Sequence, residues 1–317
     1  MMRVFFLLFF TALSLFGAKP VMPVSHYSAS GSVVDMVVHE DAIYCATDAS
    51  SVDIIDLKSQ KMIKQIKVAQ VKDFMGDLVD AKVYSVDVIG KKTLMLSQAE
   101  QGFRRLYIHQ AGKNDLVIDT NAQLSIAKAK FLDRDTVLLA LLSDELISFD
   151  LKRKKQNWRV QVSGSKFSNF VLNEEKSEVV VADESGDLQI VSTKDGKIIK
   201  TLSGQNLDNV FQVDYKKGIV ATAGQDRRVV VYDLEGKGAY YKTASFLIYS
   251  VGLSASGKRV AYSSDENNNV TVFNTKTKHT VGLFGGNKMT LSSIIFLNEN
   301  EFLVATDATV INRFKIK

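Results

Sequence analysis

The sequence is poor in the residues that crosslink chains or build redox centres. It contains one cysteine, two prolines, one tryptophan and four histidines in 317 residues. A single cysteine excludes an intramolecular disulfide, and no Cys-x-x-Cys-His motif is present to attach haem. There is also no Gly-x-Ser-x-Gly nucleophile elbow and no complete phosphate-binding glycine loop. The sequence therefore excludes the haem-protein, hydrolase and nucleotide-binding classes that these motifs define.

An apolar run near the N-terminus indicates export. Arg3 precedes residues 4–16, which are apolar apart from two hydroxyl residues, and the small residues Gly17 and Ala18 follow. This order is typical of a cleaved signal peptide, and the run is short for a bilayer span. The lone cysteine, Cys45, lies too far downstream to be a lipoprotein acylation site.

We therefore expect residues 1–18 to be a signal peptide and residues 19–317 to form a single domain. No Arg-Arg pair precedes the apolar run, which favours export of an unfolded chain without a cofactor. The expected location is the bacterial periplasm, as a monomer with no integral membrane anchor.

The formal net charge of the chain is only mildly basic, at +5. Its one dense basic cluster, residues 152–155, falls between two expected strands. We favour an exposed turn over an anion-binding patch for this cluster. An exported protein with this charge is not expected to bind nucleic acid.

A strand pattern that recurs about every 41 residues, seven times in all, predicts the fold. Each period holds an apolar strand, a second strand, a turn with Asp or Asn, and a third strand ending in a bulky residue and a polar one. The seven third strands end at Asp56, Gln110, Asp150, Thr193, Asp233, Asn274 and Lys315. A four-stranded unit of this length is typical of a propeller blade. The sequence predicts an all-β, seven-bladed β-propeller.

The last period ends one strand short, and this predicts how the ring closes. An unpaired edge strand would invite aggregation. Residues 21–28 precede blade one and have no partner in their own period. We expect them to supply the outer strand of blade seven.

The periods resemble WD40-type repeats, and blade five is the best match. It contains Ala-Gly-Gln-Asp at residues 223–226, and Asp226 stands seven residues before Asp233 in the Val-Tyr-Asp ending, as the family pattern requires. No Gly-His pair opens a blade, and no blade has Trp at its Trp-Asp position. The resemblance implies the fold without the family's Asp-His-Ser-Trp hydrogen-bond relay or its particular partners.

The whole chain also resembles the NapL accessory proteins of bacterial periplasmic nitrate reductase systems. The similarity lies in the short signal, the degenerate blades, the single cysteine and the modest basic charge. It implies a cofactor-free, non-catalytic protein that supports nitrate reductase maturation or electron delivery. Nitrate reductase components would then be its periplasmic partners.

Side chains of the first strand of each blade line the central shaft of a propeller, and alternate residues face it. Aligning the seven first strands predicts one polar ring. This ring consists of Asp35, Ser85, Lys128, Asn169, Gln212, Ser250 and Ser293. One acid and one lysine are too few for a metal or acid–base site, so we expect a hydrated shaft. A small polar ligand would bind here if anywhere.

Other catalytic and metal-binding possibilities have little support in the sequence. The histidines are scattered, and each is expected at the surface or in a turn; they are His26, His39, His109 and His279. A quinone-cofactor dehydrogenase on this fold would need tryptophan docking motifs between blades. Trp158 is the only tryptophan. No metal site is therefore expected.

Two insertions into the regular period, residues 70–80 and 98–102, are expected on one face of the propeller. The first has apolar residues at helical spacing, with Gly76 weakening the helix. We favour packing of this apolar stripe on the blade below, with an exposed partner groove as the alternative. The partner-binding candidates are Val71, Phe74, Met75, Leu78, Gln98, Glu100 and Phe103.

The sequence thus favours a non-catalytic, protein-binding accessory module in the periplasm. Two alternatives remain open. One is a propeller scaffold for outer-membrane protein assembly. The other is a lactonase-like hydrolase that acts at the central shaft.

Overall fold

A computed structural model describes residues 19–317, and the expected signal peptide at residues 1–18 lies outside the described residues. Within this range the chain forms thirty strands and two short 3₁₀ turns, Glu100–Gly102 and Thr120–Ala122. The strands build seven four-stranded antiparallel sheets and one small hairpin. Among residues 19–317, no helix is long and apolar enough to cross a membrane. These sheets are the blades of a propeller, which confirms the expected fold.

Blades one to four follow the chain in order from the innermost strand to the outermost. β1 (Ser25–Ser28) comes first and belongs to blade seven. Blade one is β2 (Val33–His39), β3 (Ala42–Thr47), β4 (Ser51–Asp56) and β5 (Met62–Lys67). The hairpin strands β6 (Val71–Lys72) and β7 (Leu78–Val79) follow. Blade two is β8 (Val83–Ile89), β9 (Lys92–Gln98), β10 (Arg104–Gln110) and β11 (Lys113–Ile118). Blade three is β12 (Ile126–Phe131), β13 (Thr136–Leu141), β14 (Glu145–Asp150) and β15 (Lys155–Gln161), and blade four is β16 (Phe167–Leu172), β17 (Glu178–Asp183), β18 (Leu188–Ser192) and β19 (Ile198–Leu202).

The remaining three blades complete the ring in the same order. Blade five is β20 (Val210–Lys216), β21 (Ile219–Gly224), β22 (Arg228–Asp233) and β23 (Gly238–Thr243). Blade six is β24 (Val251–Leu253), β25 (Arg259–Ser263), β26 (Val270–Asn274) and β27 (Thr280–Phe284). Blade seven is β28 (Leu291–Asn298), β29 (Glu301–Thr306), β30 (Val310–Lys315) and β1. The first strand of each blade contacts the first strands of both neighbouring blades, so these strands surround a central shaft.

The N-terminal strand closes the ring, as the sequence predicts. β1 pairs antiparallel with β30 in the register Ser25↔Arg313 to Ser28↔Val310. The strand is shorter than the expected residues 21–28, because Pro23 cannot donate a ladder hydrogen bond. Val21 instead bridges blade six, where its N–H donates to Leu283 O at 2.8 Å. The N-terminal segment therefore pairs with blade seven and also contacts blade six.

The hydrophobic core is divided into seven clusters, one at each interface between neighbouring blades. The two middle strands of each blade are buried on both faces, which suits their Val-rich and Ile-rich sequences. The cluster between blades seven and one contains Tyr27, Cys45 and Ile311. Burial raises the pKa of the Cys45 thiol, so this cysteine is a core residue without nucleophilic character.

Tyr27 provides the test of ring closure. Its ring is fully buried between blades seven and one, and its hydroxyl donates to Leu57 O at 3.2 Å. Tyr27→Ala should lower the free energy of unfolding by about 3–5 kcal/mol, because it leaves a cavity at the closing interface. Tyr27→Phe, the matched control, should cost only about 1 kcal/mol for the lost hydrogen bond. Urea unfolding of both variants measures the difference, and equal costs would contradict a closing role for β1.

Candidate functional site

The seven residues of the predicted polar ring lie around the shaft, and a repeated β-bulge positions six of them. In β2, β8, β12, β16, β20 and β28 the pairing register shifts immediately before the ring residue. A bulge bends its strand and re-aims the following side chain. In blade six, Ser250 directly precedes β24.

The ring residues are not equivalent around the shaft. Five of them line a shaft cavity of about 660 Å³, namely Asp35, Lys128, Asn169, Gln212 and Ser293. Ser85 and Ser250 are fully buried behind this lining. Ser250 Oγ donates to Gln212 Oε1 at 2.8 Å, and Ser85 Oγ lies 3.1 Å from Asp35 Oδ2. The two serines therefore support the neighbouring ring residues.

A second layer of charged side chains lies two residues further along the first strands. Asp87, Lys130 and Asp214 line the same cavity as the ring, together with the apolar Val171 and Ile295. Sequence reasoning considered one layer only and missed these charges. The same two-residue alternation that identified the ring would have found them.

Asp35 and Lys130 form an ion pair within the shaft. Lys130 Nζ lies 2.8 Å from Asp35 Oδ2 and donates to Val86 O at 2.7 Å. The Val86 N–H also donates to Asp35 Oδ2, at 3.0 Å. Burial favours a raised pKa for Asp35, but Lys130, Lys128 and these hydrogen bonds outweigh it and hold the pKa below its usual range. Asp35 is therefore a carboxylate at neutral pH.

The shaft carboxylates also join neighbouring blades through backbone amides. Asp35 of blade one accepts from Val86 N of blade two. Asp87 Oδ2 of blade two accepts from Phe131 N of blade three at 2.7 Å. Asp214 Oδ2 of blade five accepts from Leu253 N of blade six, also at 2.7 Å. Each acid thus satisfies an N–H of the next first strand.

Lys128 differs from Lys130 because its partners are neutral. Its Nζ donates to Asn169 Oδ1 at 3.0 Å and to Phe170 O at 2.9 Å, and it lies 5.2 Å from the centre of the Phe170 ring. Within residues 19–317, no carboxylate lies within 4.0 Å of this ammonium. Burial, with repulsion from Lys130, lowers the pKa of Lys128 to about 8.

The insertion at residues 70–80 forms a β-hairpin, so the expectation of a helical stripe is wrong. β6 pairs with β7 through Val71↔Val79 and Lys72↔Leu78. The Asp73 side chain accepts from Met75 N at 2.8 Å and from Asp77 N at 3.0 Å. Gly76 has a φ of +92°, a left-handed conformation that glycine adopts readily. This turn chemistry outweighs the helical spacing of the apolar residues.

The hairpin projects its tip into solvent, so the favoured expectation that it packs on the blade below is also wrong. Phe74 is 97% exposed, Met75 73% and Leu78 66%. Only Val71 is buried, in the cluster between blades one and two. At the base, Asp80 Oδ1 accepts from Ser50 Oγ at 3.0 Å, which ties the hairpin to blade one. The exposed side chains form a protruding apolar tip.

The second insertion forms a short 3₁₀ turn, Glu100–Gly102, between β9 and β10. Glu100 accepts two hydrogen bonds from Arg105 Nη2, at 2.8 and 2.6 Å. Hydrogen bonding to its own backbone, together with Arg105 and the hairpin residue Lys72, holds the pKa of Glu100 below its usual range. Gln98 N donates to Lys82 O at 2.8 Å, and Phe103 is half-buried. Gln98, Glu100 and Phe103 are therefore less exposed than the hairpin tip.

Residues outside the shaft and hairpin mostly match their expected places. The basic residues Lys152, Arg153 and Lys154 are exposed in the turn before β15, as expected. His109 is an exception, because it is buried rather than at the surface. Its Nδ1 lies 2.6 Å from Asn114 Oδ1, and its Nε2 lies 3.0 Å from Lys64 Nζ. Across residues 19–317, no three His, Cys, Asp or Glu side chains converge as a metal site would require.

Comparison with known proteins supports the fold. The chain is similar to the crystal structure of the β-propeller domain of Cps50 (Swd1) from Myceliophteria thermophila, with a TM-score of 0.75 at 14% sequence identity. The similarity covers 93% of this chain and 99% of that one. At this identity the likeness shows the fold alone: a seven-bladed, WD40-like β-propeller. No protein-family model and no curated protein matches the sequence.

The ion pair of the shaft provides the second test. Lys130→Met should lower the free energy of unfolding at pH 7 by about 1.5–3 kcal/mol, because the partly buried Asp35 carboxylate loses its ion-pair partner. The double variant Asp35→Asn/Lys130→Met should recover part of this loss. Because folding lowers the pKa of Asp35, its stabilisation is present above about pH 4 and is lost as pH falls through the folded-state pKa.

Urea unfolding at pH 7 and at acidic pH measures this effect. The gap between wild type and Lys130→Met should narrow as Asp35 becomes protonated. The ion-pair role of Asp35 and Lys130 would be contradicted if the double variant were no more stable than Lys130→Met. It would also be contradicted if the difference in stability between wild type and Lys130→Met did not depend on pH.

Proposed function

We propose that this protein is a non-catalytic binding module that docks a protein partner through the apolar tip of the blade-one hairpin. The observation that carries the proposal is the exposure of Phe74, Met75 and Leu78 together on one two-stranded projection. Aromatic and methionine side chains are common anchors of protein interfaces. Propellers hold such loops at fixed positions because their blades are rigid.

The structure around the hairpin suits a docking element. Its base is anchored by the buried Val71 and by the Ser50–Asp80 hydrogen bond. Its tip has a defined turn, held by two backbone hydrogen bonds to the Asp73 side chain. A preformed projection loses less conformational freedom on binding than a disordered loop would.

The proposed partner class is a component of a periplasmic nitrate reductase system, and the proposed role is support of maturation or electron delivery. This part rests on the apolar N-terminal run and on the whole-chain resemblance to NapL accessory proteins. The shaft acids Asp35, Asp87 and Asp214 each bond to a backbone amide, which gives them a structural role. That role favours a binding module over a hydrolase acting at the shaft.

Export can be tested separately. Protein expressed from the full sequence in a bacterium should be recovered from the periplasmic fraction. N-terminal sequencing should show a mature chain that begins near Lys19, because cleavage is expected after Ala18. An intact chain that begins at Met1 and stays in the cytoplasm would contradict the proposed location.

Docking is tested by affinity capture with the tagged mature protein. The hairpin variant Phe74→Ser/Met75→Ser/Leu78→Ser should retain the wild-type unfolding temperature, because its three side chains are exposed. Capture of nitrate reductase or its cytochrome partners should fall about tenfold or more. The control variant Ile198→Ser/Ile199→Ser removes exposed apolar residues from the outer strand of blade four and should capture as well as wild type.

Three outcomes would overturn parts of this proposal. Equal capture by the hairpin variant and wild type would exclude the hairpin as the docking surface. Recovery of barrel-assembly proteins instead would favour an outer-membrane assembly scaffold. Loss of capture in the control as well would point to a general loss of apolar surface.

A further inference from the structure

We propose that the central shaft binds a small organic monocarboxylate, with the Lys128 ammonium as its charged anchor. The proposal concerns a site distinct from the hairpin and does not depend on the identity of the protein partner. The shaft cavity of about 660 Å³ falls within the range of small-molecule sites in proteins. Lys128 and Asn169 both line this cavity.

Three cations that line the shaft cavity have no carboxylate within 4.0 Å among residues 19–317: Arg104, Lys128 and Lys176. Arg104 lies over the Tyr84 ring and Lys176 donates to Phe131 O, whereas Lys128 belongs to the polar ring. Lys130 is neutralised by Asp35 at 2.8 Å. Lys128 donates only to an amide oxygen and a backbone carbonyl, which use two of its three N–H groups. A partly buried ammonium whose direct partners are neutral is stabilised by a neighbouring anion. The cavity beside Lys128 leaves room for that anion.

The neighbouring groups indicate a monoanion. Asp35, Asp87 and Asp214 all act on Lys128 electrostatically, but Lys130 pairs with Asp35 and Lys216 pairs with Asp214. Lys128 can offset one negative charge on a ligand, and a second would be repelled by Asp87. A dianion such as phosphate is therefore disfavoured. A single carboxylate can pair with one ammonium in a charge-assisted hydrogen bond.

The other parts of the cavity suit an organic ligand. The Oδ1 of Asn169 accepts a hydrogen bond from Lys128. Its Nδ2 donates no hydrogen bond to any group within residues 19–317. This amide is a second donor for a carboxylate. Val37, Val171 and Ile295 provide apolar surface in the next layer of the same cavity. The carboxylate would thus lie at the ring and its hydrocarbon part against the second layer.

Binding should depend on pH in a defined direction. Lys128 is faced by Lys130 on its own strand, by Asp35 on β2, by Asp87 on β8 and by Asp214 on β20. Because the pKa of Lys128 is about 8, the ligand-free protein carries the anchoring charge at pH 7. Lys128 loses this charge as the pH rises above about 8. Affinity should therefore fall as pH rises from 7 to about 9.

The experiment is isothermal titration calorimetry on the mature protein, residues 19–317. The probes are acetate, propionate, lactate and benzoate, with inorganic phosphate as the dianion. Lys128→Met should weaken the best carboxylate about tenfold or more, because it removes a charge-assisted bond. Lys128→Arg should retain part of the affinity. The matched control Lys155→Met removes an exposed lysine from an outer strand and should bind within about twofold of wild type.

Thermal unfolding separates this role from a purely structural one. Without ligand at pH 7, Lys128→Met should be about as stable as wild type, because the desolvation cost of the ammonium offsets what its two hydrogen bonds contribute. Binding of no carboxylate by wild type would overturn the proposal, as would equal binding by Lys128→Met or tighter binding of phosphate. A large loss of stability in Lys128→Met would instead assign Lys128 to the fold.

Discussion

The pairing of β1 with β30 is the contact on which the rest of the structure depends. Each hydrophobic cluster lies between two blades, so every blade needs a neighbour on both sides. Without β1, blade seven would expose a sheet edge, and the cluster that contains Tyr27 would open to water. The bridge from Val21 to blade six extends this closure across two blades. A segment near the N-terminus thus completes a core built from the whole chain.

Closure also determines what the shaft can do. It brings seven first strands together, and a bulge before six of the ring residues directs polar side chains inward. Most charged groups of the shaft have partners. Asp35 pairs with Lys130, and Asp35, Asp87 and Asp214 each accept a hydrogen bond from a backbone N–H of the next blade. Lys128 is left with neutral partners. Lys128 is therefore the polar-ring cation without an ion-pair partner among residues 19–317, and the hairpin supplies the exposed apolar surface.

Alternation along the strands, which is a local property, predicted the blades and the polar ring. The strand count predicted closure, because the last period ends one strand short. The sequence predictions were wrong where a turn sets the backbone conformation and where contacts between blades set the burial of a residue. Asp73 and Gly76 convert an apolar stripe at helical spacing into a hairpin with an exposed tip. His109 is buried, and it contacts Lys64 of the adjacent blade, a residue far from it in sequence. The second charged layer of the shaft was accessible from the same alternation and was overlooked.

Amide hydrogen exchange of a protein comprising residues 19–317 is the most direct test of closure. If β1 completes blade seven, the paired amides of β1 and β30 should exchange as slowly as those of the inner strands in the other blades. The tip of the hairpin, at residues 73–77, should exchange fast in the same experiment, as an internal reference for exposed backbone. Fast exchange of the β1 amides and of the β30 amides that face β1, with slow exchange in blades one to six, would show an open ring and contradict the account.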